Sequence, residues 1–281
     1  MIRKVLFSAD DFGLSKEVNE AVERAHTTGI LSTASLMITG DAVEDAIQRA
    51  KRMPNLNVGL HLVLVEGNSA LPHKTIPDLV NEKNSFPSDP VKLGFKYFFD
   101  FKIRHQLAAE IEAQINIFQK TGLKLSHIDV HKHMHLHPTI GRLLIDIVKR
   151  LGINNIRLPK EPIKILKLIK KKKNYFSGHS LYYWSKILEN QLKQSNINYF
   201  DWCFGIDECG HMNFNMVSSL LKNLPPGRSE IFFHPSTSNT GIYHQFMPSY
   251  EPIEELKALC NPKLPKLLRE LNISPISWAD I

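Results

Sequence analysis

Along the chain, short apolar runs alternate with stretches whose apolar positions recur at intervals of three and four. Residues 5–9 form an apolar run that ends in Asp10 and Asp11. Val18, Ala21, Val22 and Ala25 follow at helical spacing, with Ser15 placed as an N-cap and Gly29 as a stop. This pattern predicts strand, loop and helix, and it recurs: a strand at 35–38 and a helix at 41–52, then a strand at 57–64 after Pro54. Farther on it predicts a helix at 107–120 closed by Gly122, a strand at 127–131, a helix after Pro138 and a strand at 155–158. A strand at 199–204, a helix at 215–223, a strand at 230–234 and a closing strand at 276–279 complete the series. Apolar strands alternating with helices imply an α/β fold of parallel strands wrapped by helices, either an open sheet or a barrel. No linker interrupts the 281 residues, so a single domain over 1–281 is expected.

Two segments break the rhythm and read as long insertions, at about 71–101 and 160–198. The first carries Pro72, Pro77, Pro87 and Pro90 and ends in Phe95, Tyr97, Phe98, Phe99 and Phe101, too long for an ordinary connection. The second carries Lys164, Lys167, Lys170, Lys171, Lys172 and Lys173, then Tyr182, Tyr183 and Trp184, and holds most of the surplus behind the formal charge of +7. Ile163, Ile165, Leu166, Leu168 and Ile169 interleave with those lysines. The result is either an amphipathic helix suited to anionic lipid or an outer barrel helix with a solvated lysine face. No nucleic-acid fold signature accompanies the lysines, so no specific nucleic-acid partner is expected.

Hydrophobic residues at 43% and charged residues at 22% exclude a disordered chain, a collagen and a coiled coil. Cys203, Cys209 and Cys260 show no CxxC spacing, which argues against a disulfide framework or a thiolate zinc site and fits a reducing cytosol. No uncharged apolar run reaches ~18 residues, so no membrane span is predicted. A cytoplasmic protein is expected, with peripheral contact at the inner membrane face if the lysine segment binds lipid.

Five of the 13 histidines, His127, His131, His133, His135 and His137, alternate within eleven residues. At period two they share one face while Ile128, Val130, Met134 and Leu136 take the other. A cluster of imidazoles of this density favours metal ligation. Period two alone does not decide which of His131, His133 and His135 would face the metal. Asp10 and Asp11 are adjacent carboxylates at a strand end, where they repel unless a cation or proton lies between them; a cap or turn is the plain alternative. His61 in an apolar strand and His234 in Phe233-His-Pro235 are each weak signals alone. All of these sit at or near the C-terminal ends of predicted parallel strands, where α/β folds assemble active sites. One carboxylate and two imidazoles leave metal positions open, and a second carboxylate with an opposing histidine can move protons, which is a hydrolase constellation.

Ser8-Ala-Asp-Asp-Phe-Gly13, Gly59-Leu-His-Leu62, His127-Ile-Asp-Val-His-Lys-His-Met-His135 and Phe233-His-Pro235 resemble, in this order, the motifs of the YdjC-type carbohydrate deacetylases. Thr121-Gly-Leu, the block from His131 to Pro138, Ile156-Arg-Leu-Pro-Lys-Glu-Pro162 and the aromatic stretch 95–101 resemble more narrowly the hopanoid-associated branch called HpnK. The resemblance implies a TIM-like (β/α) barrel related to polysaccharide deacetylases, with a divalent ion, Mg²⁺ or Zn²⁺. It further implies removal of acetyl from an N-acetylated glycan or glycolipid. It assigns Asp10 as general base, Asp11, His61 and His131 as metal ligands, and His234 as general acid. Phe12, His133, His135, Arg157 and Trp202 are expected to contact substrate. Val130 and Lys132 stand where the family usually has Ser and Gln, and Ser236 where Gly is common, which speaks against a simple chitooligosaccharide. A non-haem Fe(II) oxygenase and a noncatalytic sugar or lipid carrier are the competing classes; the paired Asp10 and Asp11 weigh against both. The oligomeric state is left open, a homodimer included.

Overall fold

The computed structural model describes residues 2–170 and 176–281, so Lys171, Lys172, Lys173 and Tyr175 of the lysine-rich segment lie outside the described residues. Strands β1 (Arg3–Phe12), β2 (Thr33–Leu36), β3 (Asn57–Leu62), β4 (Leu125–Val130), β5 (Trp202–Phe204), β6 (Gly227–Phe233) and β7 (Ile273–Pro275) are paired in parallel. They run in the order β4-β3-β2-β1-β6-β5, with β7 added beside the start of β1. β1 lies centrally because its apolar run is covered on both faces: Val5, Leu6, Phe7 and Ala9 are all fully buried or nearly so.

Helices α1 (Lys16–Thr28), α2 (Val43–Arg52), α3 (Pro90–Phe99), α4 (Phe101–Lys120), α5 (Pro138–Arg150), α6 (Ile163–Lys170) and α7 (Phe176–Gln194) fill the first part of the outer layer. α8 (Phe214–Lys222), α9 (Ile242–Phe246), α10 (Pro252–Leu259) and α11 (Lys263–Glu270) follow. The sequence cues for α1 operate as expected: Val18 N–H donates to Ser15 Oγ at 3.3 Å, and Val18, Ala21, Val22 and Ala25 form its buried face.

The strand predicted at 155–158 exists only as isolated parallel bridges, Ile128 to Ile156 and Asn155 to Asn198. Arg157 N–H donates to the Ile128 carbonyl and Cys203 N–H to the Lys160 carbonyl, each at 3.0 Å. Residues 154–160 thereby join the two outer strands of the sheet and curl it into a TIM-like barrel with one irregular stretch of wall. The strand expected at 276–279 also differs. β7 begins earlier, and Ser277 caps a tight turn at Trp278–Asp280 by accepting from Ala279 N–H, which stops the extended chain.

The first insertion is an ordered structure. Ala70 and Leu71 N–H groups donate to the buried Glu110 carboxylate of α4 at 2.7 and 2.9 Å, and Asp89 caps α3. In the second, α6 buries Leu166 and packs Ile165 and Ile169 on the core, as an ordinary outer helix does, while Lys164 and Lys167 face solvent.

His127 belongs to the packing and not to the site. Its ring stacks on Trp278 with centroids 4.7 Å apart, and its Nε2 lies 3.1 Å from Ser35 Oγ. A Cβ on Gly59 would fall 2.2 Å from this ring, so glycine is required there. Burial holds the His127 imidazole at about 3, below its ordinary value, so the unfolded chain takes up a proton from pH ~6.5 downward and the folded one does not. This histidine therefore costs stability as pH falls. The deficit of a His127→Gln variant relative to wild type is expected to shrink by about 1.6 kcal/mol between pH 6.5 and 5, as the slope rises from half of 1.36 kcal/mol per unit towards the whole of it. Denaturant melts at the two pH values check this; a constant difference would refute it.

Candidate active site

In a regular strand the adjacent side chains of Asp10 and Asp11 would point to opposite faces. Here β1 loses register with β2 between Ala9 and Phe12 and Asp11 adopts a left-handed backbone with φ 61°, and both carboxylates are buried within reach of His61. β3, on the far side of β2, delivers His61, and His131 follows the last residue of β4. The alternation of histidines ends at that point, since Lys132 and His133 are left-handed, with φ 51° and 53°.

These bends bring three donor atoms together. Asp11 Oδ1 lies 3.4 Å from His61 Nε2 and 3.4 Å from His131 Nδ1, and the two nitrogens are 3.3 Å apart. Donors held ~2.0–2.1 Å from a tetrahedral Zn²⁺ are separated by roughly this distance. Asp11 Oδ1 is buried with no hydrogen-bond partner, while Oδ2 accepts from Tyr243 OH at 2.9 Å. Asp129 Oδ1 accepts from His61 Nδ1 at 2.8 Å, which leaves Nε2 free to act as a ligand. Burial disfavours charge on all these groups, yet the histidines hold Asp11 well below the usual carboxylate range, and Asp129 and Asp11 hold His61 well above the usual imidazole value. Asp11, His61 and His131 therefore fit a divalent cation, by geometry and by charge.

Asp10 stands beside this triangle. The Arg157 guanidinium grips it with two hydrogen bonds, Nη1 to Oδ2 at 2.7 Å and Nη2 to Oδ1 at 2.8 Å. The same guanidinium bonds Asp129 through Nη1 and Glu230 through Nε and Nη2, and Glu230 also accepts from Ser8 Oγ. Three carboxylates thus share one buried cation. His234 follows β6, its N–H donating to Glu255 Oε2. Its ring packs against both Tyr243 and Tyr250, with Nδ1 3.9 Å from Cys209 Sγ. Burial keeps this imidazole below its ordinary value despite the pull of Asp11 and Asp10, so once protonated it is a strong proton donor.

A cavity of about 440 Å³ opens on His131, walled by Met37, Val63, Glu66, Gln245 and Phe246. On the other side of the 131–133 turn, an apolar groove of about 580 Å³ runs between the two insertions, lined by Val91, Phe95, Phe98, Leu181 and Trp184. Lys132 pairs with Glu66 across the ridge between them.

Of the residues expected to contact substrate, His133 lines the apolar groove. The other four are placed elsewhere. Phe12 is fully buried in the apolar core, and Arg157 is fully buried behind Asp10. His135 is buried with Nε2 2.9 Å from the Arg157 carbonyl. Trp202 pairs with Ser229, five positions before His234, roughly 16 Å along the strand direction, and its ring carries the Lys160 ammonium.

Sequence reasoning missed Asp129, Glu230, Tyr243 and Ser35, whose hydroxyl donates to Asp129 Oδ2 at 2.9 Å. Asp129 had a signal, being two positions before His131 on the same face of one strand, and Glu230 had another as an acid inside an apolar strand. Nothing in the sequence pointed to Tyr243.

Curated relatives include the carbohydrate deacetylase of Vibrio cholerae serotype O1 (strain ATCC 39315 / El Tor Inaba N16961), 34% identical over 152 residues, which are 53% of this chain and 57% of the relative. The carbohydrate deacetylase of Geobacillus stearothermophilus is 36% identical over 165 residues, 58% of this chain and 61% of the relative. The chain thus spans little more than half the length of these relatives. Among solved structures, a candidate cellobiose-phosphate cleavage protein from Enterococcus faecalis V583 is 19% identical, with a TM-score of 0.76 over 100% of this chain and 99% of that one. A lactam utilization protein from Thermus thermophilus is 12% identical, with a TM-score of 0.51 over 97% of this chain and 98% of that one. At such identities the likeness is one of fold. The family model described as YdjC-like protein matches residues 4–270, nearly the whole length. On that match, and with its four motifs converging on one buried cluster, the chain belongs to the YdjC-like protein family.

Proposed function

We propose that the chain is a metal-dependent carbohydrate deacetylase that hydrolyses the amide of an N-acetylated amino sugar. The observation that carries this reading is the Asp11, His61 and His131 triangle with Asp10, clamped by Arg157, directly beside it. The relatives described as carbohydrate deacetylases support the same reaction. A divalent ion held by Asp11, His61 and His131 would supply Lewis-acid polarisation of the acetyl carbonyl. Two imidazoles and one carboxylate suit Zn²⁺ better than Mg²⁺, which favours an oxygen shell.

The protein's own groups account for the protons. Asp10 takes one from the attacking water as its oxygen adds to the carbonyl carbon. Arg157 fixes both Asp10 oxygens, so the base does not rotate away. His234, on the β6 side, gives a proton to the amide nitrogen as the C–N bond breaks, releasing acetate and the free amine.

For the substrate we favour the N-acetylglucosaminyl group of a glycosylated hopanoid, the reading implied by the HpnK-like segments. Its support is the apolar groove beside the cavity, where Phe95 is 66% and Trp184 41% exposed. A chitooligosaccharide is the alternative, with the groove then unused. Peripheral contact with an anionic cytoplasmic membrane surface would suit a lipid substrate; no helix among the described residues is long and apolar enough to cross a membrane.

Acetate release from an N-acetylglucosaminyl lipid and from N,N′-diacetylchitobiose, with chelator-treated enzyme and after adding back Zn²⁺ or Mg²⁺, tests these statements. Metal-dependent release from the lipid is expected. Release from chitobiose alone would overturn the lipid substrate, and release from neither would overturn the deacetylase.

A further inference from the structure

The stretch 241–250, downstream of His234, reaches Asp11, His234 and the cavity that opens on His131, although it supplies none of the residues assigned to the chemistry. Tyr243, at most 2% exposed, donates its hydroxyl to Asp11 Oδ2 at 2.9 Å. Its ring also stands edge-on to His234 at 6.4 Å, and Tyr250 faces the other tyrosine at 6.1 Å. Ile242, Gln245, Phe246 and Met247 of the same segment wall the cavity that opens on His131. Gly241, at φ 91°, makes the turn that starts α9 and swings this stretch over the site.

A carboxylate can bind a metal through one oxygen or two, and what holds the second oxygen decides. Tyr243 occupies Oδ2, and Oδ1 is left without a hydrogen bond, facing His61 and His131. We propose that Tyr243 is a positioning residue that fixes Asp11 for one-oxygen metal ligation and, through the same hydrogen bond, ties the cavity wall at 241–250 to the occupied metal centre. This rests on the metal reading above, and it adds a consequence. Metal loading steadies the Asp11 carboxylate, hence Tyr243, hence the wall against which a sugar would lie. A metal-free protein would keep its barrel and lose definition in this wall.

The test uses Tyr243→Phe, which keeps the ring and removes only the hydroxyl, with Ser249→Ala as a control at an exposed position of the same segment that does not line the cavity. Zn²⁺ is titrated calorimetrically into chelator-stripped full-length protein, and amide hydrogen exchange over 241–250 is followed with and without Zn²⁺. In the wild type, Zn²⁺ is expected to slow exchange in that segment. Tyr243→Phe is expected to bind Zn²⁺ about tenfold more weakly and to lose the Zn²⁺-induced slowing, at an unchanged circular dichroism spectrum, while Ser249→Ala keeps wild-type affinity and slowing. Wild-type affinity together with wild-type slowing in Tyr243→Phe would overturn the coupling and leave the metal centre standing. A wild type that binds no Zn²⁺ would overturn both. If Tyr243→Phe fails to fold, wild-type exchange alone decides: Zn²⁺ binding without slowing at 241–250 overturns the coupling.

Discussion

Asp10→Asn is expected to lower kcat for acetate release by roughly 10²–10⁴-fold, the usual contribution of a positioned general base, while Zn²⁺ affinity stays near that of the wild type. The separation follows from the division of labour at the end of β1. Asp11 contributes Oδ1 to the triangle, whereas both oxygens of Asp10 engage Arg157. Asparagine keeps one oxygen for that guanidinium and cannot take a proton from water. The buried charge stays compensated, because Arg157 keeps Asp129 and Glu230. Steady-state kinetics and Zn²⁺ calorimetry on the same preparation check this. A variant retaining more than about a tenth of wild-type kcat would remove Asp10 from the base role, whereas a noncatalytic carrier would show unchanged sugar binding and no turnover in either protein.

The second large effect is on stability. Arg157→Leu leaves Asp10, Asp129 and Glu230 buried without their shared cation, and breaking even one buried pair typically costs ~3–5 kcal/mol. A drop in Tm on the order of 10 °C is expected, together with loss of turnover. Lysine should not rescue it, because a single ammonium cannot reproduce the fork that meets Asp10 through two nitrogens and Glu230 through a third. The deficit should narrow as the pH is lowered, since the stranded carboxyls then take protons. Thermal melts of wild type and variant from pH 8 to pH 5 measure both points. A Tm within ~2 °C of wild type at pH 8 would show that the guanidinium is not the clamp.

The difference between what the sequence disclosed and what it concealed follows from the range of the interactions. Ser15 and Gly29 delimit α1 because capping is local chemistry, and β1, β3 and β6 were visible because an apolar run in a parallel sheet reads the same from either face. Asp10, Asp11, His61, His131 and His234 could be gathered on paper because parallel strands deliver their C-terminal ends to one side. The stretch around Arg157 could not be read in this way. It has the composition of a strand, but its hydrogen bonds alternate between Ile128 on one side and residues near Asn198 on the other, a matter of barrel closure. Arg157 itself, expected at the substrate, turned out to serve Asp10 from behind, since three acids from β1, β4 and β6 converge on it only when the barrel is assembled. Tyr243 escaped notice for the same reason: its partner, Asp11, lies 232 positions away.

The left-handed pair Lys132 and His133 also sets what mutation can explore beside the metal centre. An L-residue in that conformation carries a penalty of roughly 1–2 kcal/mol, which glycine escapes and asparagine partly escapes. In a saturation library at 132, the survivors would run opposite to those of an ordinary strand end. Glycine and asparagine would persist, and valine and isoleucine, the residues that would lengthen β4, would disappear. A lengthened strand would carry the chain straight past the site and rotate His131 out of the triangle. The bend thus acts as a ruler that fixes where β4 stops, and the tie between Lys132 and Glu66 anchors it.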